Sequence, residues 1–342
     1  MKAIQIHQTG GPEVLTVAEL PIPTPGPGQV LIKIAATGVN FIEIYFREGR
    51  YKAPLPLIPG SEASGVIEQL GDGVEGFVVG DRVASTAVQG SYAEYALVPT
   101  AQLVHVPAGL DLKLAAAAIL QGMTAHYLSH ATYPLKAGDT ALIHAAAGGT
   151  GQLLVQMAHA IGARVIGTVS TPAKAELAKS AGADEVILYT EADFETETMR
   201  LTDGRGVDVV YDSVGKTTFE KSLNCLRPRG MMVLFGGSSG QVPPLDPQRL
   251  NSGGSLFLTR PTLAHYTADR GELLWRATDV LTAVADGELN VRIGVEYSLA
   301  HAPQAHADLA ARRADHGFGY VHARTPCRRA FPTGLDGRTA WA

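Results

Sequence analysis

A glycine-rich turn between an apolar strand and an amphipathic helix is the feature that most restricts the fold of this sequence. The turn comprises residues 144–152. It overlaps the end of the apolar run 140–145 and the start of residues 152–161, where apolar side chains recur at helical spacing. Such a turn directs backbone N–H groups and the positive end of a helix dipole at one point, which suits a pyrophosphate. Gly148 lets the backbone approach the ligand, and Gly151 lets the helix pack closely on the strand. The predicted dinucleotide site comprises Gly148, Gly149, Thr150 and Gly151.

The chain around this turn alternates between strand and helix. Helical stretches end at glycines such as Gly162 and Gly182, the residue type favoured just after a helix. This alternation predicts an α/β fold with a doubly wound parallel sheet of Rossmann type. The predicted strands are residues 140–145, 164–168, 185–188, 207–211, 231–235 and 256–259, and the predicted helices are residues 152–161, 172–182, 194–201 and 217–225.

The two ends of the chain have different patterns. Before about residue 122, short apolar segments alternate with Gly and Pro, as in an irregular antiparallel barrel. After about residue 262 the pattern predicts a helix at residues 271–285 and one strand at residues 291–297. The last thirty or so residues have no clear period, and we expect a loose tail there.

Composition excludes several classes of protein. The net charge is −5, from 28 Lys and Arg against 33 Asp and Glu, with no basic block before the tail. Nucleic-acid and membrane surfaces call for clustered cations, so neither DNA nor a membrane is an expected partner. No apolar run approaches the roughly 18 residues of a spanning helix. With no apolar leader at its start, the chain is expected to be cytoplasmic.

The end of the second predicted strand indicates which dinucleotide binds. An NAD site places an acidic residue about 20 residues after the glycine turn, on the ribose 2′-hydroxyl. Here the segment 167–174 contains hydroxyl groups, including that of Ser170, and the ammonium group of Lys174, but no carboxylate. Such groups suit a 2′-phosphate, so the expected cofactor is NADPH.

A zinc site is the competing possibility for a two-domain dehydrogenase. Only Cys225 and Cys327 occur, far apart in the sequence, so neither a disulfide framework nor a four-ligand zinc site can form. No histidine pairs with a cysteine at ligand spacing. We therefore expect no metal. The late histidines are expected at the surface, and they are His301, His306, His316 and His322.

Five ordered motifs between residues 1 and 313 resemble those of the zinc-free quinone oxidoreductases. These proteins form the zeta-crystallin-like branch of the medium-chain dehydrogenase/reductase superfamily. Zinc-dependent relatives carry Cys and His where this sequence has Val39 and Ser61. The motifs are Ala145-x-x-Gly148-x-x-Gly151, Gly38-Val39-Asn40-Phe41-Ile42-Glu43, Pro59-Gly60-Ser61-Glu62, Val210-Tyr211-Asp212-Ser213-Val214-Gly215 and Phe235-Gly236-Gly237-Ser238-Ser239-Gly240.

The resemblance implies an architecture of two domains and a pairing of subunits. A GroES-like catalytic domain would comprise residues 1–122, and residues 263–313 would return to it. The Rossmann NADPH-binding domain would comprise residues 123–262, and residues 314–342 would form an atypical tail. The strand from Ser255 to Arg260 resembles the edge strand through which members of this family pair into homodimers.

The resemblance also implies the residues of the site. Lys174 and Tyr189 would hold the 2′-phosphate with Ser170 beside them. Asn40, Tyr45 and Tyr51 would face the nicotinamide and a small-molecule quinone or enone, and they are the candidate catalytic residues. The remaining cofactor-binding candidates are Thr124, Tyr127, Ser213, Phe235, Gly236 and Ser238.

Other interpretations of these side chains stay open at this stage. Tyr45 and Tyr51 could be core rings with solvated hydroxyls, and Asn40 could stabilise a turn. Glu43 and Glu62 could donate protons, although an acid in such a loop more often binds backbone N–H groups.

The C-terminal segment departs from the family pattern. Relatives end near Arg-x-x-x-Gly-Lys and an apolar strand that returns to the catalytic domain. Arg313 to Gly317 begin this pattern, and we expect residues 318–322 to replace both the lysine and the strand. An altered reading frame is one hypothesis for this change.

Three functions are compatible with these observations. The first is NADPH-dependent reduction of quinones. The second is NADPH-dependent reduction of activated double bonds, such as those of 2-alkenals. A non-enzymatic role, as a crystallin-like protein or an RNA-binding protein, fits less well because there is no basic patch outside the tail.

Overall fold

The computed structural model describes residues 1–88 and 90–311, together with the backbone of the strand Phe318–His322. The strands, in chain order, are β1 (Lys2–Gln5), β2 (Thr16–Glu19), β3 (Gln29–Gly38), β4 (Ala63–Leu70), β5 (Arg82–Ser85), β6 (Tyr95–Pro99), β7 (Val104–His105), β8 (Thr140–His144), β9 (Arg164–Val169), β10 (Glu185–Leu188), β11 (Val207–Asp212), β12 (Leu226–Leu234), β13 (Phe257–Thr259), β14 (Ile293–Ser298) and β15 (Phe318–His322). The helices are α1 (Phe41–Arg47), α2 (Leu112–Tyr127), α3 (Gly149–Ile161), α4 (Pro172–Ser180), α5 (Phe194–Leu201), α6 (Phe219–Asn224), α7 (Gln248–Ser252), α8 (Leu263–Tyr266), α9 (Arg270–Ala285) and α10 (Ala302–Ala310).

Six of these strands form a parallel sheet in the order β10-β9-β8-β11-β12-β13. Every residue of the central strand β8 is buried, as expected for a parallel strand that is covered on both faces. The order of the strands reverses beside β8, and α/β sheets bind their ligands at such a switch point. The predicted fold class is confirmed.

The remaining major sheet is a seven-stranded, largely antiparallel β structure, the GroES-like part of the fold. Its path runs β14-β15-β3-β4-β5-β7, and β6 pairs with β3. Strands from both ends of the chain meet in it, since β15 pairs with β3 on one side and with β14 on the other. The separate pair β1-β2 completes this part of the molecule.

Helix α2 connects the two sheets and packs against α3, α9 and β3. Small side chains make these close contacts possible, since the alanines at 115–118 are fully buried. At Gly122 an added Cβ atom would lie 2.4 Å from Val280 Cγ1 on α9. Neither α2 nor α1 was predicted from the sequence. Among the described residues, no helix is long and apolar enough to cross a membrane.

Two expectations about the C-terminal part of the chain are wrong. Residues 318–322 keep the returning strand, because β15 pairs parallel with β14 and antiparallel with β3 at Gly38 and Thr37. His306 is not at the surface. It is fully buried on α10, with Nδ1 3.2 Å from Arg47 Nη1 and Nε2 3.1 Å from the Tyr92 hydroxyl. Residues 323–342 lie outside the described residues, and Cys327 is among them. His316 lies outside them as well.

Candidate active site

One large cavity of about 1640 Å³ lies between the two sheets, at the carboxyl ends of the parallel strands. It is the place where a doubly wound fold is expected to bind a ligand. The structure brings all sixteen candidate site residues to its wall. They are Asn40, Tyr45, Tyr51, Thr124, Tyr127, Gly148, Gly149, Thr150, Gly151, Ser170, Lys174, Tyr189, Ser213, Phe235, Gly236 and Ser238.

The glycine-rich turn leaves β8 and enters α3 through a tightly bent backbone. Ala145 has a φ of 52°, and its carbonyl accepts the N–H of Gly148 at 2.8 Å. At Gly151 an added Cβ atom would lie 2.2 Å from the Ala145 carbonyl oxygen and 3.0 Å from Ala146 Cα. Only glycine fits there. The turn therefore presents the N-terminus of α3 to the cavity, where a phosphate is stabilised by free N–H groups.

The end of β9 supplies the polar side of the cavity. Thr171 caps α4, and its Oγ1 accepts the N–H of Lys174 at 3.3 Å. The backbone of Tyr189 bonds to Val169, which brings Tyr189 and Lys174 to the same edge of the sheet. Three polar groups thus line the cavity wall here: the ammonium of Lys174, the phenol of Tyr189 and the hydroxyl of Ser170.

Asp193 and Lys221 also line this region, and no motif in the sequence distinguished them. Asp193 caps α5, with its Oδ1 3.0 Å from the N–H of Thr196, and its other oxygen contacts the Lys221 ammonium. The hydrogen bond from Lys221 lowers the pKa of Asp193. This carboxylate is therefore already occupied by its own hydrogen bonds.

The loops after β11 and β12 form the wall opposite the glycine turn. Buried Asp212 accepts the N–H groups of Val214 and Gly215, at 2.7 and 2.9 Å, and so holds the loop that carries Ser213. At Gly236 a Cβ atom would lie 2.4 Å from the Ser213 carbonyl oxygen, so the two loops touch through backbone alone.

Aromatic rings line the far end of the cavity. Tyr45 and Tyr51 meet edge to face, with ring centroids 5.4 Å apart. Tyr45 is 9% exposed, and burial raises the pKa of its hydroxyl. Tyr127 stacks on Tyr266 at 4.3 Å, and burial likewise raises its pKa. These rings make an apolar compartment with a few hydroxyl groups, a suitable site for a flat organic substrate.

Asn40 lies between this aromatic end and two buried carboxyl groups. Its Nδ2 is 2.6 Å from Glu62 Oε1, and its backbone N–H donates to Glu43 Oε2 at 2.8 Å. Glu43 also accepts the N–H of Ser61, and Glu62 accepts the N–H of Leu120 on α2. Both carboxyl groups therefore bind backbone, and they join the loops of the β structure to α2.

Burial dominates the electrostatics of this pair. Desolvation raises the pKa of Glu43 to about 7 and that of Glu62 to about 8. The negative charge of Glu43 contributes to the rise at Glu62. No local motif indicated these shifts, because they depend on segments that are remote in the sequence.

Comparison with known proteins agrees with this architecture. A family model described as an alcohol dehydrogenase GroES-like domain matches residues 26–108, and one described as a zinc-binding dehydrogenase matches residues 149–267. A quinone oxidoreductase of Pseudomonas aeruginosa is 45% identical over 314 residues, which are 91% of this chain and 97% of the relative. The chain belongs to the quinone oxidoreductase family of the medium-chain dehydrogenase/reductase superfamily. It is an oxidoreductase, and the resemblance inferred from its motifs is confirmed.

Two further proteins are similar to the chain over most of its length. The structure of the Escherichia coli quinone oxidoreductase complexed with NADPH superimposes with a TM-score of 0.91 at 39% identity, covering 94% of this chain and 100% of that one. A 2-haloacrylate reductase of a Burkholderia species is 43% identical over 320 residues, which are 91% of this chain and 96% of the relative.

The donor set of the described residues does not fit a zinc ion, although one matching family model carries zinc in its description. Within the described ranges, no group of three or more His, Cys, Asp or Glu side chains is placed to hold a metal. Cys225 is buried, and burial raises the pKa of its thiol to about 12, whereas zinc binds a thiolate.

Proposed function

We propose that this protein is an NADPH-dependent quinone reductase, in which a quinone binds at the aromatic end of the cavity. The observation that carries the proposal is the continuity of that cavity. A single wall joins Lys174 and the glycine turn, which suit phosphate groups, to Asn40 and the tyrosine pair, which suit a flat acceptor. The NADPH complex of the Escherichia coli relative supports the same cofactor here.

The residues present fit NADPH. Gly151 and Gly236 lie so close to neighbouring backbone that neither position has room for a side chain. Only backbone therefore borders the path that a dinucleotide would take there. Lys174, Tyr189 and Ser170 would hold the 2′-phosphate, and the N-terminus of α3 would hold the pyrophosphate. Thr124, Tyr127 and the Ser213, Phe235 and Ser238 loops would enclose the nicotinamide half. When bound, NADPH supplies the reducing equivalents.

The protein's own contribution at the acceptor end is orientation and exclusion of water. Tyr45 and Tyr51 would flank the quinone ring, and the amide of Asn40 would hydrogen-bond one of its oxygens. A donor aimed at a quinone oxygen stabilises the negative charge that develops there during reduction. No nucleophile is required, because a quinone accepts electrons directly and water can supply the protons.

The test is stopped-flow oxidation of NADPH in the presence of 1,4-benzoquinone or 9,10-phenanthrenequinone. We expect saturable oxidation with each quinone, much faster than in enzyme-free solution. The control is Lys52→Ala, a change at an exposed lysine outside the cavity wall, which should leave turnover unchanged. If no quinone accelerates NADPH oxidation above the enzyme-free rate, the proposal is wrong.

Reduction of an activated double bond is the second candidate, favoured by the Burkholderia relative. Arg260 lines the same cavity, and its positive charge opposes the rise in the pKa of Tyr45. A cation at that place could orient the carboxylate of an acrylate. Crotonaldehyde and 2-chloroacrylate belong in the same panel, and turnover of these compounds without any quinone turnover would select this candidate.

We further propose that the protein forms a homodimer through β13, the strand at one edge of the six-stranded sheet. The expected edge strand from Ser255 to Arg260 is shorter in the structure, Phe257–Thr259, and Phe257 on it is 56% exposed. An open edge that carries an exposed aromatic residue is suited to pairing with a second copy.

A charge on this edge should prevent pairing. We expect Phe257→Lys to halve the mass in size-exclusion chromatography with light scattering, from twice 36.0 kDa to that of one chain. Val78→Lys is the matched control, since Val78 is 62% exposed in a loop of the other sheet. A wild-type protein that elutes as a monomer, or a Phe257→Lys variant that stays dimeric, would count against this interface.

A further inference from the structure

A chain of two amide groups links the buried carboxyl group of Glu62 to the glycine turn. Asn40 Oδ1 is 3.1 Å from Gln121 Nε2, and Asn40 Nδ2 is 2.6 Å from Glu62 Oε1. The Gln121 amide then lies against Gly149, where an added Cβ atom would be 1.8 Å from Gln121 Oε1. We refer to Glu62, Asn40 and Gln121 as the amide relay.

The direction of the amide relay depends on whether Glu62 carries a proton. A carboxylate only accepts, so ionised Glu62 requires the NH₂ group of Asn40 to face it. The NH₂ group of Gln121 then donates to Asn40, and its carbonyl faces Gly149. A protonated Glu62 donates instead. Both amides then turn by 180°, so that N and O exchange places within the same side-chain outline, and the NH₂ group of Gln121 faces Gly149.

The contact between Glu62 and Asn40 is compatible with either arrangement. Asn40 Nδ2 and Glu62 Oε1 are 2.6 Å apart, close enough for a direct hydrogen bond, and the N and O of an amide occupy nearly the same place after a 180° turn. Glu62 is 0% exposed and Asn40 is 8% exposed, so water does not compete for these groups.

We propose that Glu62 is a positioning residue whose proton sets the direction of the amide relay, and that Gln121 consequently presents a hydrogen-bond donor to the cofactor when Glu62 is protonated and an acceptor when it is ionised. The inference rests on the proposed function, because the ligand at the glycine turn is taken to be NADPH. A donor at that point stabilises a phosphate, whereas a carbonyl oxygen repels it.

The groups around Glu62 place its titration in an accessible range. Glu43 on α1 adds negative charge beside Glu62. Burial, and after it the charges of both carboxyl groups, raise the pKa of the Tyr92 hydroxyl. Arg47 on α1 and His306 on α10 lie behind Tyr92, and burial together with the charge of Arg47 lowers the pKa of His306 to about 3, which keeps it neutral. Burial raises the pKa of Glu62 to about 8. Cofactor affinity should therefore be high below that pH and fall above it.

The test is the dissociation constant of NADPH, measured by its fluorescence without any quinone. For the wild type we expect binding roughly tenfold weaker at about pH 9.5 than at about pH 7, the effect of one hydrogen bond. Glu62→Gln carries a permanent donor to Asn40, so its affinity should stay high at both pH values. Gln121→Met removes the last amide, and its affinity should be low and independent of pH.

Three controls separate this role from a structural one. Glu43→Gln removes the neighbouring charge but no member of the amide relay, so the pH step should persist and move to lower pH. NADH should show the same step, which excludes titration of the 2′-phosphate. Thermal unfolding at about pH 7 verifies that each variant is folded.

The outcomes are distinguishable from failure of the proposed function. A step that persists in Glu62→Gln, or a wild-type affinity that is constant across this range, overturns the amide relay and leaves NADPH as the cofactor. A wild-type protein that binds no NADPH at any pH overturns both.

Discussion

Replacing Gly151 by valine is expected to destabilise the protein by about 3 kcal/mol or more, the upper end of the range for overpacked sites, and to abolish NADPH binding. The three atoms nearest to the new Cβ are all backbone, and they include the Ala145 oxygen at 2.2 Å and Ala146 Cα at 3.0 Å. No side chain can rotate away. The turn must open, and the N–H groups at the start of α3 then lose their common direction.

The measurement is urea unfolding of the unliganded protein, followed by titration with NADPH. Gly148→Ala is the matched control in the same turn, because Gly148 has an extended backbone with a φ of −74°, and its Cβ would lie 3.2 Å from the nearest atom. It should cost less than about 1 kcal/mol. Equal stability losses for the two variants would show that close packing at Gly151 is not what the turn requires.

Lys174→Ala is expected to remove most of the preference for NADPH over NADH. Charge-assisted hydrogen bonds to a phosphate contribute about 1.5–3 kcal/mol, so NADPH should bind roughly 10- to 100-fold more weakly. The affinity for NADH should stay nearly the same, since NADH lacks the 2′-phosphate. Dissociation constants of both dinucleotides, measured side by side on wild type and variant, give the result.

Lys179→Ala provides the control for charge on the same helix. Lys179 is on α4, pairs with Glu176 at 3.4 Å and does not line the cavity. It should leave the ratio of the two affinities unchanged. If Lys174→Ala keeps the wild-type ratio, the 2′-phosphate is held elsewhere, and the assignment of Lys174, Tyr189 and Ser170 fails.

The features that were predictable are those encoded by residues adjacent in the chain. The bounds of α5, Phe194–Leu201, agree with the predicted helix, and α3 and α4 start within three residues of the predicted positions. Each of these helices begins at a capping residue or glycine turn whose effect is local. The same reasoning located the turn at Gly148 and its place between β8 and α3.

The features that were not predictable depend on distant partners. Strand β15 exists because β14 and β3 offer it an open position, although its own sequence departs from the family pattern. His306 looked like a surface residue because α10 was not recognised, and Arg47 and Tyr92 reach it from more than 200 positions away. Helix α2 was not predicted because its alanines form only a short apolar run in the sequence. The contacts with α9 and β3 that bury them come from segments remote in the chain.

By itself, the sequence determined the fold class, the glycine turn and the absence of a carboxylate at the end of β9. Each of these follows from periodicity, capping or spacing within one short segment. Only the tertiary structure decided that sixteen candidate residues line one cavity, and that Glu62, Asn40 and Gln121 form a connected chain to Gly149. The physical reason is burial. A carboxyl group has an ordinary pKa in any short peptide, and it acquires a raised pKa only when segments remote in the sequence exclude water from it.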